Sequence, residues 1–117
     1  MSETVSLDDL VKRNDLYFEK FTDVPFTGEV SGQYNGKFKN GKRKGKWLSY
    51  YSNGGLSDKG NFKDGKSEGL WVNYHKNGQL RSKGNKKNGG KDGRWKFFTD
   101  YGTLRDTGTY KNGLLVE

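Results

Sequence analysis

The chain has 117 residues, a formal net charge of +8, 29% hydrophobic residues and a mean hydropathy of −1.11. That length suits one domain. The lack of cysteine excludes disulfides and thiolate metal sites, and no apolar run is long enough to span a membrane as a helix. Such a polar composition would by itself point to disorder. Aromatic residues, however, make up 15% of the chain and recur at fixed positions, as do the 18 glycines. A thin structure held by aromatic stripes is therefore expected, rather than a deep core.

Charge is unevenly placed. Residues 1–35 carry three basic and seven acidic residues, net −4, whereas residues 36–117 carry 19 basic and seven acidic residues, net +12. This asymmetry predicts either an anionic partner or an acidic cap lying on its own basic array. The acidic start, MSETVSLDDL, has no signal-peptide core, so a cytoplasmic location is expected.

In chain order, residues 1–9 read as a frayed start. Ser6 followed by Asp9 has the form of a capping box, compatible with a short helix over Leu7–Val11. A hairpin is preferred: Leu10-Val11 and Leu16-Tyr17-Phe18 flank Asn14-Asp15, two residues that tolerate the positive φ of a tight turn. Pro25, the only proline, separates this unit from a strand over Phe26 to Val30. Leu16 to Val30 reads as a worn first repeat, with Tyr17 in the place of a tryptophan, and residues 1–35 as an acidic segment carrying a degenerate capping repeat.

From Gly36 a 24-residue unit recurs, at 36–59, 60–83 and 84–107, with a truncated copy at 108–117. Each unit reads as two strands and two turns. Trp71 to His75 forms the first strand, and the second runs from about Leu80 through Gly84. Asn53-Gly54 and Asn77-Gly78 suit type I′ turns, and Asn40-Gly41, Asp64-Gly65, Asn88-Gly89 and Asn112-Gly113 mark turns on the opposite edge. Tyr101-Gly102 replaces Asn-Gly in the third unit, so a looser or different turn is expected there.

A two-residue turn at Asn77-Gly78 sets Trp71 opposite Gly84, Trp47 opposite Gly60 and Trp95 opposite Gly108. An indole lying on the glycine across from it then explains both positions. Alternation puts Trp71, His75, Leu80 and Gly84 on one face. It puts Val72 on the other face, with the file Tyr50, Tyr74 and Phe98. A bulge in the first strand would instead bring Trp and Tyr together. The fold class is all-β: an elongated, single-layer antiparallel meander of stacked hairpins.

Residues with catalytic potential are sparse. His75 is the only histidine, and Tyr51 and Thr99 take its place in the neighbouring units. Ser-His and Cys-His nucleophile arrangements and multi-ligand metal sites lack candidates. No enzyme, metal or cofactor is expected. The basic residues are more regular. Lys39, Lys63, Lys87 and Lys111 recur every 24 residues before an edge turn, joined by Lys42, Arg43, Lys44, Lys91 and Arg94. Along an edge they would block sheet-to-sheet aggregation, or dock an acidic protein, an anionic lipid layer or a nucleic-acid backbone.

The run Gly69-Leu70-Trp71-Val72-Asn73-Tyr74-His75-Lys76-Asn77-Gly78-Gln79-Leu80, continuing to Gly84, resembles the variant MORN repeat of bacterial proteins, as does the copy at Gly45-Lys46-Trp47. Many such proteins carry the label of a YwqK-like antitoxin family. The resemblance is good over Gly36 to Gly113. Departures are Lys86 where Phe38, Phe62 and Tyr110 stand, Phe98 for Tyr, and Tyr101 for Asn. The resemblance implies an elongated antiparallel sheet, no catalytic residues, and a partner that is a protein or an anionic lipid. Function is therefore expected to be protein binding, through the aromatic face (Tyr50, Tyr74, Phe98) and the basic edge, with an antitoxin-like or inhibitory role. Nucleic-acid binding by lysine files and aromatic stacking is the alternative, followed by peripheral attachment to anionic membranes. Homodimers by edge pairing are a further expectation, with the apolar C-terminal Leu114-Leu115-Val116 as the favoured site.

Overall fold

The computed structural model describes residues 3–117. Strands β1 (Glu3–Val5), β4 (Gly28–Val30), β5 (Tyr34–Lys39), β6 (Lys42–Tyr50), β7 (Leu56–Lys63), β8 (Lys66–Tyr74), β9 (Leu80–Lys87), β10 (Gly90–Phe98), β11 (Leu104–Lys111) and β12 (Leu114–Leu115) form one sheet in that order. From β4 onward every neighbour is antiparallel and adjacent in sequence. The molecule measures 46 × 32 × 20 Å. This is the stacked-hairpin meander that the 24-residue period predicts.

The N-terminal segment is more ordered than a frayed start. β1 pairs in parallel with β4, setting Val5 beside Val30; Met1 and Ser2 lie outside the described residues. Ser6 and Asp9 do form a capping box, on a single 3-10 turn over Leu7–Asp9. β2 (Leu10–Arg13) and β3 (Leu16–Glu19) make a separate hairpin, with Asn14 at φ 51° and Asp15 at φ 64°. The worn repeat, Leu16 to Val30, is thus split: its start is the second strand of this hairpin, and only Gly28–Val30 joins the large sheet. Leu10, Phe26, Val30, Phe38 and Trp47 form the buried cluster beneath the hairpin.

The type I′ turns lie on the edge opposite to the one expected to hold them. Asn40-Gly41, Asp64-Gly65, Asn88-Gly89 and Asn112-Gly113 have both residues at positive φ, as type I′ requires. Asn77 does not. There, the Gly78 N–H donates to the His75 carbonyl (2.9 Å) and the His75 N–H to the Gln79 carbonyl (2.8 Å), enclosing three residues with Gly78 at φ 89°. This longer loop moves the register by one, and a bulge at Arg81 moves it back, so Trp71 does face Gly84 while Tyr74 faces Leu80. Leu80 therefore shares the face of Tyr74, not that of Trp71. Tyr101 costs nothing in the equivalent loop because only Gly102 adopts positive φ. The loop closes as in the other units, from Gly102 N–H to the Thr99 carbonyl and from Thr99 N–H to the Thr103 carbonyl.

A second bulge decides the tryptophan packing. Gly69 sits at φ 77°, and Gly45 and Gly93 behave likewise. Lys59 pairs with Val72 and Asn61 with Glu68, so Gly60 alone spans Gly69, Leu70 and Trp71. The displaced indole of Trp71 lies on Gly60, where a Cβ would fall inside the ring; Trp47 lies likewise on Gly36 and Trp95 on Gly84. The indole-on-glycine contact is real, but it is made to the preceding strand rather than to the following one. Gly108 is covered by Leu115 and Tyr110. The bulge comes before Trp71 rather than between Trp71 and Tyr74, so the two residues remain on opposite faces.

Candidate interaction face

With the register known, alternation sorts the side chains of the paired strands. One face carries a ring ladder: Tyr17–Phe38 (5.0 Å between centroids), Phe38–Trp47 (5.2 Å), Trp47–Phe62 (5.7 Å) and Phe62–Trp71 (5.3 Å), mostly edge to face. A second run is Trp95–Phe97–Tyr110. The indole N–H groups of Trp47 and Trp95 donate to the carbonyls of Lys37 (3.2 Å) and Asn85 (2.8 Å). That of Trp71 is buried without a partner.

Arg43 and Lys91, expected on the basic edge, belong to this tryptophan face. The Arg43 guanidinium lies 5.2–5.3 Å from the rings of Tyr17, Trp47 and Phe62 and donates to the Tyr17 hydroxyl (3.0 Å). Lys91 Nζ lies 5.2–5.6 Å from the rings of Tyr110, Trp95 and Phe97. Two repeats apart, they do the same work: a cation roofing an aromatic cluster. Ser67 holds the intermediate position and is too short, so the cation over Trp71 comes from Lys86 (4.8 Å), at the step where the ladder lacks a ring.

Lys86 also stands directly opposite Lys91, an unfavourable pairing. Burial holds its amine below the ordinary 10.5; the neighbouring Lys91 adds to this effect and Asp58 opposes it. The unfolded chain therefore binds the proton more tightly than the folded one. Stability should climb as pH rises from the lowered folded value toward 10.5, and the penalty is complete below that window. In Lys86→Phe, which restores the ladder, thermal melts over the alkaline range should lose this climb and start from a higher melting temperature at neutral pH.

The opposite face holds the remaining predicted site residues. Lys39, Lys42, Lys44, Lys46, Lys63, Lys87, Arg94 and Lys111 point there; so do Lys37, Lys59, Lys66, Lys83 and Lys96, which sequence reading did not single out. Their signal was present in the alternation, but the two bulges had to be placed before it could be used. The acids on this face are Glu29, Glu68 and Asp92. Among the described residues, ion pairs join Lys37 to Glu29 (3.8 Å) and Arg13 to Asp23 (3.5 Å). The first of these joins the acidic N-terminal segment to the array. Arg94 is held flat by the Thr107 and Thr109 hydroxyls (3.0 and 3.2 Å). The file Tyr50, Tyr74 and Phe98 lies on this same face, half-buried, at the end of the strands away from the type I′ turns. Its members pair with Leu56, Leu80 and Leu104, and Lys59 Nζ lies over Tyr74 (5.9 Å). The aromatic and basic elements are thus two ends of one surface.

His75 joins neither. Its Nε2 contacts the Phe98 carbonyl (2.8 Å), one repeat on, as the Tyr51 hydroxyl contacts the Tyr74 carbonyl (2.6 Å). Asn53 and Asn77 make the same step, to the carbonyls of Lys76 and Asp100. These positions tie each hairpin to the next. Among the described residues no three His, Cys, Asp or Glu side chains gather as metal ligands.

The profile of the MORN repeat variant matches residues 43–64, 67–88 and 91–112, more than half of the chain and in step with the 24-residue period. No curated protein matches. Among solved structures, the crystal structure of accessory secretory protein 1, 2 and 3 in Streptococcus pneumoniae is similar at 17% identity and a TM-score of 0.44, over 96% of this chain and 20% of that one. The present chain thus spans about a fifth of that chain's length. Three consecutive matches in register with three structural hairpin units leave one assignment: the chain belongs to the MORN repeat variant family, whose repeats generally serve as modules for protein or membrane interaction.

Proposed function

We propose that this chain is a non-enzymatic protein-interaction module that docks an acidic partner protein on its lysine face. The observation that carries the reading is the one-sided distribution of charge. Apart from the roofing cations and from Lys76, Arg81 and Arg105, which lie in a loop or at bulges, the basic side chains of the array share one face, almost without ion pairs among the described residues, beside a half-buried file of Tyr50, Tyr74 and Phe98. Unpaired like charges raise the association rate of an acidic surface, and partly buried tyrosines are the residues most often found as binding anchors. His75, the main candidate for chemistry, is engaged in joining repeats. A sheet of this kind would act by covering a surface on its partner, which is the antitoxin-like, inhibitory role we infer, exercised in a bacterial cytoplasm.

The test is a tagged pull-down from host lysate, with and without nuclease, using the native chain and Tyr50→Ala/Tyr74→Ala. One stoichiometric protein should survive nuclease and be lost with the variant, each anchor contributing about 2 kcal/mol, while the far-UV spectrum stays unchanged. Recovery of nucleic-acid-binding proteins that disappear with nuclease, or undiminished recovery by the variant, overturns the reading.

A further inference from the structure

The lysine face is not flat. Gly36, Gly60 and Gly84 each carry an indole on one side and bare backbone on the other. On the lysine side, this leaves a groove of 580 Å³ over Gly36, walled by Leu48, Lys44, Lys46 and Lys37, whose ion-pair partner Glu29 is the one acid of the lining. A second groove, of 340 Å³ over Gly60, is walled by Leu70, Val72 and Lys46. The two are equivalent under the 24-residue period, Leu48 corresponding to Val72 and Gly36 to Gly60. They are two strands apart, about 9.6 Å at ordinary strand spacing. A polypeptide in the polyproline II conformation advances about 3.1 Å per residue with three residues per turn, so residues three apart cover the step and point to the same side.

The next repeat changes character. Beside Gly84, the position of Leu48 and Val72 is taken by Lys96, which pairs directly with Lys83 on β9. Both are exposed, and neither has an ion-pair partner among the described residues. Two like charges held opposite each other favour a carboxylate between them.

Resting on the proposed function, we infer that the occupant of this face is an acidic segment of the partner in the polyproline II conformation, running across the strands. It places one apolar side chain in the groove over Gly36 and a second, three residues later, in the groove over Gly60. A carboxylate three residues further on sits between Lys83 and Lys96. The charge of the face selects acidic residues at the intervening positions, and the hairpin repeat sets the three-residue spacing.

The experiment uses three fluorescein-labelled peptides of identical composition, glutamate-rich with two leucines separated by two, three or four positions. Each is titrated by anisotropy against the full chain and against Leu70→Asp, a substitution at an exposed wall residue. The three-position peptide should bind about tenfold more tightly than the other two, the effect of seating one further apolar side chain. This advantage should vanish in Leu70→Asp. Equal binding by all three peptides, with equal loss in salt, would show attraction by charge alone and overturn the spacing. If no peptide binds while Tyr50→Ala/Tyr74→Ala still loses its protein, the linear occupant is wrong and the proposed function stands. If that variant keeps its protein, the proposed function falls first.

Discussion

Gly60→Ala is expected to destabilise the protein by about 3 kcal/mol, the upper part of the usual range for overpacking. The cause is steric and not conformational. Gly60 is not among the residues at positive φ, so its backbone would accept alanine. The new methyl would enter the ring of Trp71. That ring is buried between Phe62 (5.3 Å) and the Lys86 ammonium (4.8 Å), so it has no free rotamer to swing into. Gly108→Ala is the control: its methyl would meet Leu115 Cδ1 at 2.8 Å and the edge of Tyr110 at 3.1 Å. Leu115 is 62% exposed and can turn aside, so a loss under about 1 kcal/mol is expected. Urea midpoints at constant m-value measure both variants. Adding Trp71→Leu to Gly60→Ala should recover part of the loss, the non-additivity expected of residues in contact. A Gly60→Ala variant no weaker than Gly108→Ala would show that the strand-interior glycines are not there to seat the indoles.

That contact shows where sequence reading succeeds and where it stops. Trp47, Trp71 and Trp95 could be matched with glycines because both recur at a fixed period, and periodicity survives any local irregularity common to all repeats. Which glycine each ring covers depends on the bulge at Gly69, and a glycine in a sequence can as well be an open turn, a bulge or a close approach. The pairing of Trp71 with Gly84 was legible although the turn was not of the expected kind. A loop one residue longer than assumed and a bulge at Arg81 cancel. Since the side-chain period of a strand is two, two one-residue errors restore the faces everywhere except between them. This is why Leu80 alone changed sides.

The interaction face was legible in its parts but not in its extent. Tyr50, Tyr74 and Phe98 follow from simple alternation on the strand after the bulge. The lysines before the bulge at Gly45 and Gly69 could not be assigned a side, and they read as an edge rather than a face. Arg43 and Lys91 were misread for a further reason: a cation next to an exposed turn looks solvated in sequence, whereas here the aromatic clusters draw both side chains over their rings. The N-terminal strand Glu3–Val5 was missed because its partner, Gly28–Val30, is neither adjacent nor antiparallel, and parallel pairing leaves no turn signal between the two segments.

Trp95→Ala should be the most damaging truncation of a tryptophan in the chain, at about 4 kcal/mol. Trp95 is fully buried, covers Gly84, stacks on Phe97 and lies under Lys91. Its removal leaves a cavity beneath a cation that then loses one of the three rings facing it. Against a total stability on the order of 5–15 kcal/mol, that is enough to separate the third hairpin unit from the rest, because each repeat contacts only its neighbours. Trp71→Ala tests the reasoning. Trp71 is buried to a similar degree, yet its indole N–H has no acceptor, whereas Trp95 donates to the Asn85 carbonyl at 2.8 Å. Truncating Trp71 gives up no hydrogen bond and removes a buried, unpaired donor, so it should cost about 1 kcal/mol less. Equal losses in the two variants, measured by chemical denaturation, would mean that the Trp95 hydrogen bond contributes nothing net and that the rings alone, packed against glycine, hold the array.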